Sequence, residues 1–409
     1  MTGRPGSPVA VVGAGVRAPG GATPDELWAS LCAARSFAEP FEDARLPPDV
    51  GVLVSRVTGL DPGAVLPPVH VRRFDRCHHL ALAAARDALG AVPELPPPER
   101  CAVVCGVGLG ANAYHERQHE ELLRGGLHAL NPLTVPVVMP SSPAVLLSLQ
   151  LGFLGPVLTV STACASGATA IGEGVELLRR GAADLVLAGG VDALLTHSVV
   201  CSFLRLDAMT RAVAGAPASR PFDVDRDGFL LAEGAGFVVL QRPADVPNEG
   251  TALGTVAGYG TCAEGHHLVA PEPGGGGALR CMRLALADAG LTPSDVRQVN
   301  AHGTSTRAGD LAEAAALSVL FTDRGPPVTA VKGTTGHMIG GSGAVEAIVA
   351  LASARTGTVP PVAGTRRVDP AIALDVVLGA PRQVGAGHVL SNSFGFGGID
   401  ACLVLGPPS

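Results

Sequence analysis

Short apolar runs alternate with segments of helical period along most of the chain. The run Val9-Ala10-Val11-Val12 reads as a buried strand, and Thr23-Pro24-Asp25-Glu26 as a helix start with Thr23 as N-cap and Pro24 in the first turn. Residues 44–72 are proline-rich and irregular, apart from a strand over 51–57. The pattern then predicts a helix over 75–89 and a strand over 101–106. An extended stretch over 131–142, carrying Pro132, Pro136 and Pro140, leads into a helix from Pro143 to Leu151. The clearest unit follows: strand 157–160, helix 164–180, strand 184–190. Strands joined through a helix run parallel, so part of the sheet is parallel. A second set starts near Ala252, with strands over 254–258, 296–300, 328–331, 374–378, 388–393 and 401–405, and helices over 277–289, 310–321 and 341–356. The pattern thus divides the chain into two related α/β halves, residues 1–250 and 251–409, with no short repeat.

Composition narrows the function classes. At 409 residues and 47% hydrophobic content the chain supports a large core. A net charge of −7 and no basic stripe give no reason to expect nucleic acid as a partner. The most apolar stretch, 144–160, is too short to span a membrane and is interrupted by Ser148, Gln150, Gly152, Gly155 and Pro156. Met1-Thr2-Gly3-Arg4-Pro5-Gly6 lacks a signal-peptide pattern, and nine cysteines without a CxxC pair read as reduced thiols, so a cytoplasmic location is expected. Nor do these cysteines form a metal-binding pattern. Lys332 is the sole lysine among 29 basic residues. In a chain that otherwise uses arginine, it marks a place that needs a compact ammonium rather than a planar fork.

Cys164 stands in Thr162-Ala163-Cys164-Ala165-Ser166-Gly167, between a strand and a helix. Gly167, Gly172 and Gly174 imply close backbone approach, and Ala168, Ile171, Val175 and Leu178 form one apolar stripe, so the helix is buried. A thiol at its N-terminus is expected to have a lowered pKa and to act as an accessible nucleophile. His302 and His337 each sit beside a glycine in a loop after a strand. Ligands bind at the carboxyl ends of strands in open α/β sheets, so the thiol and both imidazoles are expected to converge. Such a set can hold an acyl thioester and form a carbanion beside it, which is the chemistry of carbon–carbon bond formation. In Asn392-Ser393-Phe394-Gly395-Phe396-Gly397-Gly398, glycines surround two of only 11 phenylalanines, placing backbone N–H groups where an oxyanion can be held.

Two lookalikes are set aside. Gly13-Ala14-Gly15 with Ala18 resembles a dinucleotide fingerprint, but Pro19 intervenes before the helix. Asp223-Val224-Asp225-Arg226-Asp227-Gly228 resembles a calcium loop, but the twelfth position is Gly234 and Glu233 misses it by one.

Taken together, these residues resemble the β-ketoacyl synthases of the thiolase-like superfamily, the condensing enzymes of fatty acid and polyketide synthesis. The motifs that carry the resemblance are Thr162 to Ser166, Arg220-Pro221-Phe222-Asp223 through Gly228-Phe229, Asn300 to Thr306, Lys332 with Gly336-His337, and Asn392 to Gly398. The resemblance implies a five-layered αβαβα fold of two pseudo-symmetric halves with mixed sheets. It implies that Cys164 takes an acyl group from the phosphopantetheine of an acyl carrier protein, that His302 and His337 promote malonyl decarboxylation, and that Lys332 orients them, paired with Glu346. Backbone N–H groups of Cys164 and Phe396 would form the oxyanion hole, with Phe396 a gate between Gly395 and Gly397. Thr304 and Thr306 would contact pantetheine, and Arg72 and Arg73 the carrier protein. No metal or organic cofactor is implied. The assembly would be a homodimer, or a heterodimer with a chain-length-factor-like subunit in which this chain, having its cysteine, is the active half. A thiolase or acyltransferase working without decarboxylation is the rival class; it is disfavoured by the two histidines and by Cys402 lying beyond Gly398. The sequence departs from the fatty-acid members at Asp207-Ala208-Met209-Thr210, Gly333-Thr334-Thr335, Ile399-Asp400 and Val137 to Pro143. These departures favour a type II polyketide or polyene pathway over housekeeping fatty acid elongation.

Overall fold

The computed structural model describes residues 6–408 except 48–49, 214, 247–249 and 322–323, so the first five residues of the leader reading lie outside the described residues. Two runs of elements follow one another in the same succession. The first is β1 (Val9–Arg17), α1 (Arg76–Gly90), β2 (Cys101–Val107), α2 (Ser142–Leu151), β3 (Val157–Val160), α3 (Ser166–Arg179), β4 (Leu185–Asp192) and β5 (Gly234–Gln241). The second is β6 (Gly254–Ala263), α4 (Gly276–Asp288), β7 (Val296–Asn300), α5 (Arg307–Leu320), β8 (Val328–Thr329), α6 (Ser342–Thr356), β9 (His388–Gly395) and β10 (Ile399–Gly406).

The strand order is β3-β2-β4-β5-β1-β6-β10-β9-β7-β8. In each half the two outer pairings are parallel and the two inner ones antiparallel. The halves join where Val9, Ala10 and Val11 pair antiparallel with Val256, Thr255 and Gly254. Helix α1 packs outside the first half and α4 outside the second, with α3 and α6 between the two sets of strands. This gives the expected five layers and a mixed sheet. Helix α6 is buried around its whole circumference, as its apolar composition requires. It crosses α3 backbone to backbone. A Cβ on Gly167 would lie 2.7 Å from the Ala344 nitrogen, and one on Gly343 would lie 2.8 Å from the Ala168 nitrogen. The N-terminal glycines serve the same purpose: a Cβ on Gly15 would meet the Ala84 carbonyl oxygen of α1 at 2.0 Å.

Several expectations need correction. Residues 131–142 are not extended: a helical turn spans Thr134–Val138, and Pro136 sits in its first turn, where a missing N–H costs no hydrogen bond. Residues 374–378 form no strand, because β8 is two residues long and offers Val376 only an isolated bridge to Val328. The strand over 51–57 contracts to Leu53–Ser55, in a small sheet with Ala38–Pro40 and Leu231–Ala232. Strand β5 and the helices Asn112–Gly125 and His197–Arg205 were not anticipated. The first of these helices buries only Tyr114 and Gln118, so it shows no apolar stripe.

Candidate active site

Strand β3 delivers the chain to a strained elbow. Ala163 takes a left-handed φ of 49°, and the single 3-10 turn Ala163–Ala165 then carries Cys164 into α3. Ser166 braces the elbow: its Oγ accepts the Thr162 N–H at 3.0 Å and donates to the Ala163 carbonyl at 2.6 Å. Gly395 passes so close that a Cβ there would lie 2.7 Å from the Thr162 carbonyl oxygen. The expected lowering of the thiol pKa is not found. Burial pushes Cys164 up to about 11, against the opposing pull of the Lys332 ammonium and of the backbone N–H groups of Phe396 and Cys164 itself. The resting nucleophile is a buried thiol, 4% exposed, and desolvation outweighs the helix terminus.

His302 follows β7, and Glu313 of α5 holds its loop. The Glu313 carboxylate accepts the N–H groups of His302 and Gly303, both at 2.8 Å, and the Asn392 side-chain amide at 3.0 Å. The Lys332 ammonium donates to Glu346 Oε1 at 2.6 Å, to the His302 carbonyl at 2.6 Å and to His302 Nδ1 at 3.2 Å. These three contacts use all three of its protons, which explains a lysine where the rest of the chain uses arginine. They also make Nδ1 of His302 an acceptor and leave its proton on Nε2. His337 is arranged alike. Ser342 Oγ accepts the Met338 N–H at 2.9 Å, and among the described residues its own proton has no acceptor other than His337 Nδ1 at 3.0 Å, which assigns the ring proton to Nε2. Burial and the Lys332 charge hold both imidazoles well below the usual histidine range, and His337 adds to the effect on His302. Two neutral N–H donors result, their rings 5.5 Å apart at 85°.

Cys164, His302 and His337 line one cavity, together with Thr304, Thr306, Gly395 and Phe396. Thr306 caps α5, accepting the Gly309 N–H at 3.2 Å, and its Oγ1 lies 2.9 Å from that of Thr304. Gly397 does not line the cavity; Gly398 does. The cavity adjoins an outer vestibule through Val269, Pro271, Thr306, Gly309 and Phe396, and Arg211 and Arg307 border that vestibule. Arg72 and Arg73 are exposed after the short helix Pro68–Val71 and line neither space.

Sequence reasoning missed Glu313, Ser342 and Phe229, whose ring stands edge-on to His337 at 5.4 Å. It also missed Asp192, at the end of β4. This carboxylate gathers the N–H groups of Gly108, Leu109, Gly110 and Gly340 at 2.8–3.2 Å. The available signal was an acid at the carboxyl end of an apolar strand. The calcium-like stretch is a brace. Asp223 accepts the N–H groups of Asp225, Arg366 and Arg367, and Arg226 pairs with Asp369 at 2.8 Å.

Residues 6–245 match the N-terminal domain of the β-ketoacyl synthases, and residues 253–366 match the C-terminal domain. The chain belongs to the β-ketoacyl synthase family. It is a ketosynthase condensing enzyme, an acyltransferase. A 3-oxoacyl-[acyl-carrier-protein] synthase 2 of Staphylococcus aureus (strain COL) is 35% identical over 340 residues, covering 82% of each chain. Among solved structures, the ishigamide ketosynthase/chain length factor superposes with a TM-score of 0.91 at 31% identity, covering 98% of this chain and 100% of the other. A type II PKS acyl-carrier protein in complex with its ketosynthase bound to the hexaketide gives 0.90 at 26% identity, covering 99% and 100%. Among the described residues no helix is long and apolar enough to cross a membrane.

Proposed function

We propose that this enzyme is a β-ketoacyl-[acyl-carrier-protein] synthase of a type II polyketide or polyene pathway, condensing malonyl units onto an acyl chain held by Cys164. One observation carries the reading: a buried thiol shares a cavity with two imidazoles whose Nε2 protons are fixed as donors. An acyl thioester passes from a carrier's pantetheine to Cys164, with the N–H groups of Cys164 and Phe396 holding the oxyanion. Malonyl-carrier then occupies the same cavity. His302 and His337 donate to its thioester oxygen as carbon dioxide leaves, and the enolate attacks the acyl group on Cys164. Thr304 and Thr306 guide the pantetheine arm. No metal or organic cofactor is needed for these steps.

A second subunit fits at β3. Among the described residues this strand ends the sheet with an unpaired edge, and Val157 and Leu158 on it, with Val145 and Leu149 on α2, are exposed. Of the two solved neighbours, one is a ketosynthase/chain length factor and the other a ketosynthase in complex with its acyl-carrier protein, which supports these as partners. The family-unlike residues Val137 to Pro143 run from the helical turn Thr134–Val138 into the first residues of α2. The test is intact-protein mass spectrometry with acyl- and malonyl-carriers, without and with a co-expressed partner subunit. An acyl adduct on Cys164, followed by a β-ketoacyl product, is expected. Extended polyketide or polyene products only with the partner support the pathway; single-step elongation of saturated chains by the protein alone supports fatty acid synthesis instead.

A further inference from the structure

The turn into α6 repeats the backbone of the elbow under Cys164, but with a larger side chain. Ala163 stands three residues before Ser166, and Ile339 three residues before Ser342. Their φ angles are nearly the same, 49° and 48°. A left-handed φ is uncommon for any residue but glycine, and for a β-branched side chain it is a steric outlier. Among the described residues Ile339 is the only β-branched residue held this way.

Such strain persists where the surroundings fix it. The fixing group is Asp192, fully buried at the end of β4. Its Oδ2 accepts the N–H groups of Gly340 and Gly108, both at 2.8 Å. Its Oδ1 accepts those of Leu109 and Gly110, at 3.2 Å and 3.1 Å. One carboxylate thus ties the loop after β2, in the first half, to the residue that follows Ile339, in the second. The fit is tight. A Cβ on Gly340 would lie 2.6 Å from both Asp192 Oδ2 and the Gly108 nitrogen, and one on Gly108 would lie 2.8 Å from Ile339 Cγ2. The isoleucine is therefore packed against the very loop that Asp192 holds.

The side chain so fixed belongs to the site. The turn Ile339–Gly341 packs on the turn Ala163–Ala165, which carries the sulfur. Ile339 lines the cavity with Cys164, Phe229 and Phe396. The same four residues share one apolar cluster, which continues through Leu194, Val199 and Met209.

We infer that Asp192 is a positioning residue that sets the acyl selectivity of Cys164. By holding Ile339 in its strained conformation it makes a fixed apolar wall beside the thioester, which admits straight acyl chains and rejects chains branched at the carbon next to the carbonyl. The inference rests on the reading of Cys164 as the acyl-carrying residue. The reason is steric. A methyl branch beside the carbonyl needs the space that Ile339 fills. A wall anchored through backbone hydrogen bonds does not turn aside as a free rotamer would, so the added carbon is rejected. Asp192 itself touches no reacting atom; it acts through Ile339.

The test compares the wild type with Ile339→Ala, Asp192→Asn and Asp192→Ala. The probes are S-butyryl- and S-(α-methylbutyryl)-pantetheine, and the second-order rate of Cys164 acylation is followed by intact-protein mass spectrometry. Decarboxylation of malonyl-pantetheine is measured alongside. The wild type should favour the straight probe by about tenfold or more, the usual worth of one carbon in an apolar pocket. Ile339→Ala should bring that preference down to about twofold, through faster acylation by the branched probe. Asp192→Asn leaves one carboxamide oxygen for four N–H groups and should lower the preference several-fold, with Asp192→Ala lowering it at least as far. A merely structural role for Asp192 would slow both acylations and decarboxylation together and leave the preference intact; that result in Asp192→Asn would overturn the inference. So would equal acylation of the wild type by the two probes, or a preference that survives Ile339→Ala. The last variant keeps Asp192 and its hydrogen bonds, so it reads the wall even where an Asp192 variant does not fold. A wild-type protein that takes neither acyl group on Cys164 would instead remove the functional reading, and this inference with it.

Discussion

The turn from β3 into α3 and the turn from β8 into α6 occupy equivalent places in the two halves, and they use one device in two ways. Both helices open with the same three residues, Ser166-Gly167-Ala168 and Ser342-Gly343-Ala344. Each serine oxygen accepts the N–H four residues upstream, from Thr162 at 3.0 Å and from Met338 at 2.9 Å. Each glycine lets the other helix approach its backbone. The hydroxyl protons then diverge. Ser166 donates back to the Ala163 carbonyl and closes the strained elbow under Cys164. Ser342 donates to His337 Nδ1 and selects its tautomer. A duplicated scaffold supplies a rigid turn twice, and the residues before each serine decide whether that turn presents a nucleophile or an acid. The second turn is also longer, since the one-turn helix Lys332–Thr335 precedes it and places the ammonium beside His302.

The largest effect should come from the elbow itself. Cys164→Ala removes the sulfur, so no acyl adduct should be seen by mass spectrometry and condensation should cease; an adduct elsewhere that still condenses would refute the assignment. Replacing either histidine separates the two turns functionally. His337→Ala or His302→Ala should still acylate Cys164 but lose condensation by about 10²-fold or more, the usual cost of removing an oxyanion donor. Equal loss of both half-reactions would deny the division of labour. The serines sharpen the comparison further. Ser342→Ala frees His337 to exchange tautomers, and decarboxylation of malonyl-carrier should slow by about tenfold. Ser166→Ala should cost roughly 1–2 kcal/mol of stability, read in denaturant melts, with a smaller effect on decarboxylation.

Stability against pH should show the smallest and most gradual effects. Unfolded imidazoles take up protons near 6.5, whereas folded His302 and His337 do not. Their contribution is therefore complete above pH 6.5 and is lost as pH falls below it. Asp400 acts in the opposite sense. Its folded value of about 8 stands above the ordinary carboxyl value of 3.8, so its contribution to stability declines as pH rises between those values. Asp400→Asn should accordingly be more stable than the wild type at pH 8, by about 1–2 kcal/mol in thermal or denaturant unfolding.

Most of the nucleophile's setting was legible, because a strand-to-helix turn with glycines behind it is a local pattern. The strand–helix alternation in both halves was legible for the same reason. Strand β5 was hidden because it opens with Gly234-Ala235-Gly236, small residues that read as a loop and are strand only through pairing with β4 and β1. Glu313 was hidden because two of its partners are backbone N–H groups eleven and ten residues away and the third is the Asn392 amide from the far end of the chain, which no local side-chain pattern announces. The helix-terminus argument for Cys164 failed in sign because it is local, whereas desolvation depends on everything packed around the sulfur.

The order of residues along the chain determined which groups do the chemistry: one thiol at an elbow, two imidazoles after strands, and a single lysine in a chain that otherwise uses arginine. Only the packed structure decided their protonation states. The acceptors of Lys332 and the hydroxyl of Ser342 set the tautomers, and burial beside Glu264 keeps a proton on Asp400. The reason is physical. A residue's identity is carried by covalent structure, but its proton affinity is set by the water it loses and the charges it gains, and both come from segments far away in the chain.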